Sequence, residues 1–333
     1  SRLLHLDRAS GATAHHRFHD LTELLRPGDL LVINDTRVFP ARLLGRRLPG
    51  GGASECFLIR RLEEPDGSVP ADGSECWLSL VHPGQRLREG SRMVFERTGV
   101  TIEGEVLGRH HHGRRSVRLR CADGRPLSEA IDVVGHVPLP PYIRREDEQA
   151  DRERYQTVYA RTRGSVAAPT AGLHFTPALL DTLAGRGVPH VAITLHVGYG
   201  TFQPVRVDDV AAHHMEGEQY RVRPEAAEAI TRAKRAGGRV IAVGTTSTRT
   251  LESLRVSDDG TVHPGEGETA LFIRPGHRFR VVDGLVTNFH LPRSSLLMLV
   301  SALAGRERIL AAYARGGRVT LPVLQLRDAM LVL

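Results

Sequence analysis

The chain has 333 residues, of which 41% are hydrophobic and 25% are charged. These proportions are ordinary for a folded protein and exclude a disordered or fibrous chain. The length fits two ordinary domains or one large domain with an insert. The formal net charge is +7, and Lys234 is the only lysine among the 45 lysines and arginines. Arginine suits bidentate phosphate contacts, so the charge is compatible with an RNA partner, although a biased genomic base composition explains it as well.

Cysteines and apolar runs indicate the cellular compartment. Cys56, Cys76 and Cys121 are far apart and form no CxxC pair, which argues against a structural zinc site and a disulfide scaffold. The longest apolar run, residues 296–303, is far shorter than the ~18 residues that a membrane-spanning helix needs. Residues 1–5 lack the pattern of a signal peptide, and without a starting Met we expect upstream residues to be missing. We therefore expect a cytoplasmic protein with no metal and no membrane partner.

The N-terminal half is predicted to contain an inserted all-β domain. A buried strand over residues 29–33 ends in a polar turn formed by residues 34–36. From Pro49 to about Arg120, short alternating runs between Gly-rich turns predict a small β-barrel or sandwich. Within it, residues 110–112, three consecutive histidines, are predicted to form a solvated turn. A stiff Pro-rich segment after this region predicts the return of the chain to the first domain.

After Tyr155, predicted strands and helices alternate. The helices are predicted to begin at Pro177 after a Thr176 cap, at Pro224, at about Thr248, after a Ser294 cap and at about Glu307, and strands cover residues 191–196 and 239–243. The predicted fold class is therefore α/β, a large mixed α/β domain interrupted by an inserted small β-barrel domain. We place the discontinuous α/β catalytic domain at residues 1–48 and 136–333, and the inserted β-barrel domain at residues 49–135.

Residues 164–175 form the densest polar motif, in which Thr170 and His174 stand among small residues. Small residues let a ligand and the backbone approach each other closely. A structural loop has a similar composition, so a binding loop and a structural loop are equal alternatives at this point.

Two further motifs follow predicted strands. His196 stands at a strand end beside residues 198–200, Gly-Tyr-Gly, where open α/β sheets bind ligands, although a hydrogen-bonded core histidine fits equally well. Residues 244–247, Gly-Thr-Thr-Ser, join a strand to a helix, where N–H groups and hydroxyls either bind an anion or simply cap the helix. Arg249 and Glu252, three residues apart on that helix, are placed to pair with each other.

A last group of polar residues follows the next predicted strand. Thr287, Asn288 and His290 can all hydrogen-bond a base edge or a ribose hydroxyl. Residues 213–218, His-His-Met-Glu-Gly-Glu, contain potential proton-transfer groups such as Glu218. No ligand spacing typical of a metal site accompanies them.

Taken in chain order, these stretches resemble the S-adenosylmethionine:tRNA ribosyltransferase-isomerase family of queuosine biosynthesis. The matching stretches are residues 28–31, 34–38, 40–43, 139–143, 154–160, 164–176, 194–205, 244–253, 287–292, 298–302 and 328–331. The resemblance implies an enzyme that moves and isomerises the ribosyl moiety of S-adenosylmethionine onto the aminomethyl group of 7-aminomethyl-7-deazaguanine in tRNA. The product would be epoxyqueuosine, with adenine and methionine released, and S-adenosylmethionine would serve as the ribosyl-donor substrate.

The resemblance also implies an α/β domain with an inserted β-barrel and a tRNA partner with a GUN anticodon, and we expect a monomer. Because a base must deprotonate the carbon beside the sulfonium and an acid assists adenine departure, the acid–base candidates are His174, His196, His290 and Glu218. The substrate-binding candidates are Tyr159, Pro169, Thr170, Gly172, Phe175, Gly198, Gly200, Thr201, Gly244, Thr245, Thr246, Ser247, Arg249, Thr287 and Asn288. The two aromatic residues among them could stack on adenine or on the deazaguanine, and core packing is the alternative.

Two departures from the family pattern leave the acceptor open. Glu216 replaces the second histidine of the family pattern His-x-Met-His-x-Glu, and residues 321–328 lack the family's aromatic, Arg-containing run. A divergent enzyme that performs the same S-adenosylmethionine chemistry on a free small molecule is therefore an alternative. A non-catalytic RNA-binding protein is a further alternative, and the retained polar motifs argue against it.

Overall fold

Two structural units are formed by different parts of the chain. A computed structural model describes residues 1–63, 70–139, 143, 145–198, 200, 215–316 and 328–333. One unit comprises Ser1–Arg37 and Gln156–Leu333, and the other comprises Val38–Tyr155. The first contains a large mixed sheet with helices and the second a closed barrel, which confirms the predicted fold class. The insert that we propose at residues 49–135 lies within the second unit.

The described residues form strands and helices that follow one another in chain order. The strands are β1 (Arg2–Leu6), β2 (Thr13–Arg17), β3 (Leu30–Asn34), β4 (Thr36–Val38), β5 (Arg42–Leu48), β6 (Ala53–Leu62), β7 (Glu75–His82), β8 (Arg92–Arg97), β9 (Val100–Arg109), β10 (Arg114–Cys121), β11 (Thr162–Ser165), β12 (His190–Leu195), β13 (Glu218–Val222), β14 (Val240–Val243), β15 (Gly265–Thr269), β16 (Gly284–Asn288) and β17 (Asp328–Val332). The α-helices are α1 (Leu21–Leu24), α2 (Leu127–Val134), α3 (Asp151–Arg154), α4 (Pro177–Gly185), α5 (Pro224–Arg235), α6 (Thr245–Glu252), α7 (Ser295–Ala304) and α8 (Arg306–Gly316). Short 3-10 helices lie at Phe18–Asp20, His111–Gly113 and Thr170–His174. None of the helices found in the described residues has the length and apolar character needed to span a membrane.

The α/β unit is built around a nine-stranded mixed sheet with the order β15-β13-β12-β3-β14-β16-β17-β1-β2. Its strands β12, β3, β14 and β16 are parallel, so their carboxyl ends meet at one edge of the sheet. The chain passes from β3 to β12 on one side and from β14 to β16 on the other, which makes the gap between β3 and β14 a topological switch point. Open α/β sheets bind ligands at such a point, outside the carboxyl ends of the strands.

Burial on both faces explains the mainly apolar sequences of the central strands. Every residue of β3, β14 and β16 is buried. Successive side chains of a strand point to opposite faces of the sheet. Val32 and Val240 accordingly pack in one apolar cluster, whereas Leu31 and Ile241 pack in a second cluster that includes Phe175. Because a one-residue slip would exchange the two faces, this packing fixes the register of the strands.

The second unit contains a closed barrel with the strand order β10-β7-β6-β5-β8-β9, in which paired strands are antiparallel. Leu58, Phe95, Ile102 and Leu119 are fully buried side chains of these strands. The histidines at residues 110–112 form an exposed turn between β9 and β10, which confirms that prediction. Closure removes the open edge strands through which sheets aggregate.

Helix α6 begins earlier than the sequence pattern predicts. We predicted a start at about Thr248, whereas the helix begins at Thr245 directly after Gly244. Gly244 has a φ of 90°, which glycine adopts without strain, so the chain turns from strand into helix within one residue. The Ser247 hydroxyl donates to the Val243 carbonyl, which satisfies a polar side chain inside a buried helix. The other predicted helices and strands of this unit are confirmed to within a few residues.

The N-terminal cap of helix α4 gives a testable contribution to stability. The Thr176 hydroxyl accepts a hydrogen bond from the Leu179 N–H, and Pro177 occupies the first helical position. We expect Thr176→Ala to lower the free energy of unfolding by ~1 kcal/mol, because one helix N–H loses its partner. Urea unfolding followed by circular dichroism measures the change. Thr182→Ala is the control, since its exposed hydroxyl only donates to the Ala178 carbonyl; an equal loss in both variants would contradict the role of the cap.

Candidate active site

The polar motifs of the sequence lie at one edge of the nine-stranded sheet. Asn34 ends β3, His196 follows β12, Gly244 follows β14 and Asn288 ends β16. Since these four strands are parallel and adjacent, the four positions lie side by side around the switch point. Glu218 begins β13, which runs antiparallel to β12, so it reaches the same edge. The topology thus gathers motifs that are far apart in the sequence.

His196 is held by contacts on one ring nitrogen and one ring face. Its Nδ1 lies 2.9 Å from the Thr36 hydroxyl oxygen. The imidazole packs against Gly164, where an added Cβ would approach the ring to 2.5 Å. Among the described residues, Nε2 has no hydrogen-bond partner. Burial lowers the pKa of His196, although the Asp35 carboxylate opposes this, so the ring is neutral near pH 7 and can accept a proton.

His174 is engaged at both ring nitrogens. Its Nε2 lies 2.9 Å from Asn288 Oδ1, and its Nδ1 lies 2.8 Å from the Ser1 hydroxyl. Phe18 packs at a tilt against the ring, with centroids 5.1 Å apart. Burial lowers the pKa of His174, which favours the neutral ring. Because His174 occupies the Asn288 oxygen, the amide nitrogen of Asn288 is the end that remains available to a ligand.

His290 lies on the other face of β16. Thr287 and Asn288 are successive strand residues, so their side chains point to opposite faces. The Thr287 hydroxyl oxygen is 2.8 Å from His290 Nε2, and the His290 backbone N–H donates to the Tyr313 hydroxyl. Burial lowers the pKa of His290 to about 4, so its ring is uncharged near neutral pH. The predicted acid–base group is therefore divided between the two faces of the strand, with His174 on the Asn288 side.

Glu218 and Arg249 form a buried ion pair. Glu218 Oε2 accepts a hydrogen bond from Arg249 Nη1 at 2.6 Å, and each side chain is 4% exposed. The second carboxylate oxygen accepts the Gly198 N–H at 2.8 Å. The other Arg249 donors reach the backbone carbonyls of Thr269 and Leu271. These contacts favour a role in positioning the Gly198 segment over direct contact with a substrate.

The predicted pairing of Arg249 with Glu252 is wrong. Glu252 accepts the backbone N–H groups of Arg280, Val281 and Val282. Helical spacing brings the side chains at i and i+3 near each other, but it does not reveal tertiary partners that compete for them. Here three backbone amides satisfy the Glu252 carboxylate, and Arg249 pairs with Glu218.

Several buried polar atoms have no hydrogen-bond partner among the described residues. Thr246 Oγ1, at the start of α6, and Asn288 Nδ2, at the end of β16, belong to this group. Thr157 Oγ1 and the Tyr159 hydroxyl are two more, and both side chains border Gly172. Leaving such an atom unsatisfied costs ~1–3 kcal/mol. A bound ligand that supplies the missing hydrogen bonds would account for Thr246 and Asn288 at the sheet edge.

The predicted binding residues on the 3-10 turn lie close to the core. Pro169, Thr170 and Gly172 belong to this turn, and a Cβ at Gly172 would collide with the Tyr159 hydroxyl. Tyr159 and Phe175 are buried in the apolar cluster that includes Leu31 and Ile241. Their burial favours core packing over stacking on a substrate.

Only some of the other predicted binding residues lie in the described part of the chain. Thr245 and Ser247 are buried in the first turn of α6. Gly200 lies beside Glu216, whose carboxyl carbon would be 3.1 Å from an added Cβ. Thr201, Tyr199 and the histidines at residues 213–214 lie outside the described residues. In the part of the chain that is described, no group of three or more His, Cys, Asp or Glu side chains is arranged to hold a metal ion.

Known proteins are similar to this chain over its whole length. The model of the queuosine biosynthesis protein family matches residues 1–332. The chain belongs to this family. It is 52% identical over 333 residues to the S-adenosylmethionine:tRNA ribosyltransferase-isomerase of Symbiobacterium thermophilum, covering 100% of this chain and 93% of the relative. A relative of the same name from Anaeromyxobacter sp. (strain Fw109-5) is 53% identical over 313 residues, covering 94% of this chain and 86% of the relative.

A solved structure agrees with this membership. The crystal structure of the S-adenosylmethionine tRNA ribosyltransferase from Thermotoga maritima is 32% identical, with a TM-score of 0.51. The similarity covers 100% of this chain and 92% of that chain. The family that the sequence motifs predicted is therefore confirmed, and with it the assignment of the chain as an enzyme.

The sequence motifs assigned no individual role to Asn34, Asp35 or Thr36 in this family member. Asn34 accepts the Leu195 N–H with Oδ1 and donates to the Leu195 carbonyl with Nδ2. Asp35 accepts the Thr194 hydroxyl at 2.6 Å. These bonds join the end of β3 to the end of β12 beside the candidate histidine. The available signal was a polar triplet directly after an unbroken apolar strand.

Mild acid should destabilise this family member through His290. Its pKa is about 4 in the folded chain against an ordinary 6.5, so between these values only the unfolded chain takes up the proton. The free energy of unfolding should therefore fall as the pH is lowered from 6.5 to 4. Urea titrations across this range measure the slope, and His290→Gln should reduce it. His15→Gln, at an exposed position of β2, is the control and should leave the slope unchanged. A slope that is the same in His290→Gln as in the parent chain would show that His290 does not cause the loss of stability.

Proposed function

We propose that this chain transfers and isomerises the ribosyl moiety of S-adenosylmethionine onto the aminomethyl group of 7-aminomethyl-7-deazaguanine in the anticodon region of tRNA. The products are epoxyqueuosine in the tRNA, adenine and methionine. The names of relatives that are 52% and 53% identical support both the donor and the tRNA substrate. The enzyme acts as a monomer in the cytoplasm, on tRNA with a GUN anticodon.

The observation that carries this proposal is a pair of buried polar groups at the sheet edge that have no hydrogen-bond partner among the described residues. Thr246 Oγ1 lies in the first turn of α6, which follows β14, and Asn288 Nδ2 lies at the end of the neighbouring strand β16. The first N–H groups of α6 have no partner within the helix, so together with Thr246 they can bind a carboxylate. The methionine carboxylate of S-adenosylmethionine fits this requirement. The Asn288 amide then donates to an acceptor elsewhere on the donor substrate.

His196 is the base in this proposal. A sulfonium acidifies the neighbouring 5′-carbon, and removal of that proton requires an unprotonated base. His196 has a ring nitrogen without a partner among the described residues, whereas both nitrogens of His174 and both carboxylate oxygens of Glu218 are engaged. The proton passes from the 5′-carbon to His196 Nε2, and the electron pair stays on the carbon beside the sulfur.

A hydrogen-bond donor at the end of β16 assists the departure of adenine. Negative charge develops on the leaving base, and a donor already held in place stabilises it. The Asn288 amide is such a donor, since His174 fixes its oxygen. Thr287 and His290, on the other face of β16, are hydrogen-bonded to each other rather than directed toward the Asn288 amide.

The test is incubation of the enzyme with S-adenosylmethionine, followed by mass spectrometry. One reaction contains tRNA that carries 7-aminomethyl-7-deazaguanine, a second contains the free base, and a third contains no acceptor. Release of adenine and methionine with an epoxycyclopentyl mass gain on the tRNA would support the proposal. Absence of adenine in all three reactions, from folded protein, would refute it.

A free small-molecule acceptor is the second candidate. The observation in its favour is Glu216, which replaces a family histidine and lies beside Gly200 at the candidate site. A carboxylate there changes the charge that an acceptor meets. Product formed only with the free base would establish this alternative, and product formed only on tRNA would exclude it.

A further inference from the structure

Thr36 is a fully buried threonine whose hydroxyl contacts the candidate base. Its side-chain oxygen lies 2.9 Å from His196 Nδ1 and 3.5 Å from the Thr162 carbonyl oxygen. Its backbone N–H donates to Asn34 Oδ1 at 3.2 Å. The residue is therefore fixed by its own backbone, and its hydroxyl stands between an imidazole and a carbonyl.

We propose that Thr36 is a positioning residue that holds the proton of neutral His196 on Nδ1 and so keeps the Nε2 lone pair free to accept a substrate proton. The inference rests on the proposed function, in which His196 is the base. It adds a residue that touches neither donor nor acceptor and acts only through the histidine.

The hydrogen-bond inventory supports this direction of donation. A hydroxyl has one proton, and a carbonyl oxygen can only accept. When the Thr36 hydroxyl donates to the Thr162 carbonyl, its oxygen accepts from His196 Nδ1–H. The opposite arrangement would place the ring proton on Nε2, which could then donate but not accept. In this way the hydrogen bond at Nδ1 determines whether Nε2 carries a proton or a free lone pair.

The surroundings of His196 limit the movement of its ring. Gly164 lies against the imidazole closely enough that a Cβ would meet its atoms at 2.5 to 2.8 Å. The charged groups that act on the ring are Asp35, which favours its protonation, and Arg221, which opposes it. The ring orientation is the same in neutral and in protonated His196, because Nδ1–H donates to the Thr36 hydroxyl in both states.

Nitrogen NMR of histidine-labelled protein tests the tautomer without any substrate. In the parent chain above the pKa of His196, we expect the Nδ1–H form, assigned by the loss of its signals in His196→Gln. Thr36→Val removes the hydroxyl and keeps the branched shape, so the population should shift toward Nε2–H. Thr36→Ser retains the hydroxyl and should restore Nδ1–H. An Nε2–H tautomer in the parent chain, or an unchanged tautomer in Thr36→Val, would overturn the proposal.

Kinetics of the same variants separate positioning from stability. For folded protein, Thr36→Val should lower kcat by about 10–100-fold and leave KM for S-adenosylmethionine within about twofold. Thr36→Ser should recover most of the rate. A valine variant with the parent kcat would contradict the role of Thr36. If the parent chain released no adenine, the proposed function would fail while the NMR result still decided the tautomer.

Discussion

Replacing Arg249 by alanine should lower the free energy of unfolding by ~3–5 kcal/mol, which is a large part of the stability of an ordinary domain. The reason is the burial of its partner: Glu218 is 4% exposed, and its carboxylate would lose its buried counterion. The substitution also removes donors from the carbonyls of Thr269 and Leu271. Thermal and urea unfolding of both proteins would measure the loss.

The chain contains a matched control for this substitution. Arg221 pairs with Glu266 at 2.8 Å, but these side chains are 61% and 68% exposed. Exposed pairs contribute at most ~1 kcal/mol, so Arg221→Ala should leave the unfolding transition nearly unchanged. Equal losses of unfolding free energy in Arg221→Ala and Arg249→Ala would show that burial of the Arg249–Glu218 pair does not add to stability.

Replacing His196 by glutamine should lower kcat by about 10²–10⁴-fold, the range over which general acid–base groups contribute. Glutamine retains a polar side chain but has no basic nitrogen. Since the imidazole is uncharged near neutral pH, its loss removes a proton acceptor rather than a positive charge. Single-turnover release of adenine from S-adenosylmethionine measures the step in which the base acts.

A second histidine on the same strand controls for structural effects. His190 begins β12 at the opposite end from His196 and is exposed. His190→Gln should therefore retain the parent rate. A nearly normal rate of adenine release in His196→Gln, with intact folding, would assign His196 to packing and transfer the base role to another residue of the acid–base group.

The sequence is most informative where local chemistry decides the structure. Residues 30–33 and 240–243 are apolar because both faces of a parallel strand are buried, so these apolar runs could be recognised in the sequence. Thr176 and Ser294 were predicted as caps because a hydroxyl before a helix satisfies a free N–H, and both accept that bond. Such signals depend on neighbours in the sequence only.

Side-chain contacts between residues that are distant in the sequence could not be predicted in this way. His174 meets Asn288 across 114 positions, and Glu218 meets Arg249 across 31. No periodicity encodes these pairs, because they arise where elements that are distant in the sequence meet at one edge of the sheet. The family resemblance placed the residues in one site, but it did not distinguish His196, whose Nε2 has no hydrogen-bond partner among the described residues, from Glu218, whose two carboxylate oxygens are engaged.

The pairing of β1 with β17 has a consequence for how the enzyme is made. The two strands are parallel neighbours in the sheet, yet Arg2 and Asp328 are 326 positions apart. On the ribosome, β1 and β16 cannot pair with β17, which lies between them in the sheet, until β17 has been translated. A prematurely terminated chain would expose both edges, and open strand edges invite aggregation. Incomplete translation products should therefore be lost to aggregation and proteolysis rather than persist as partly active enzyme.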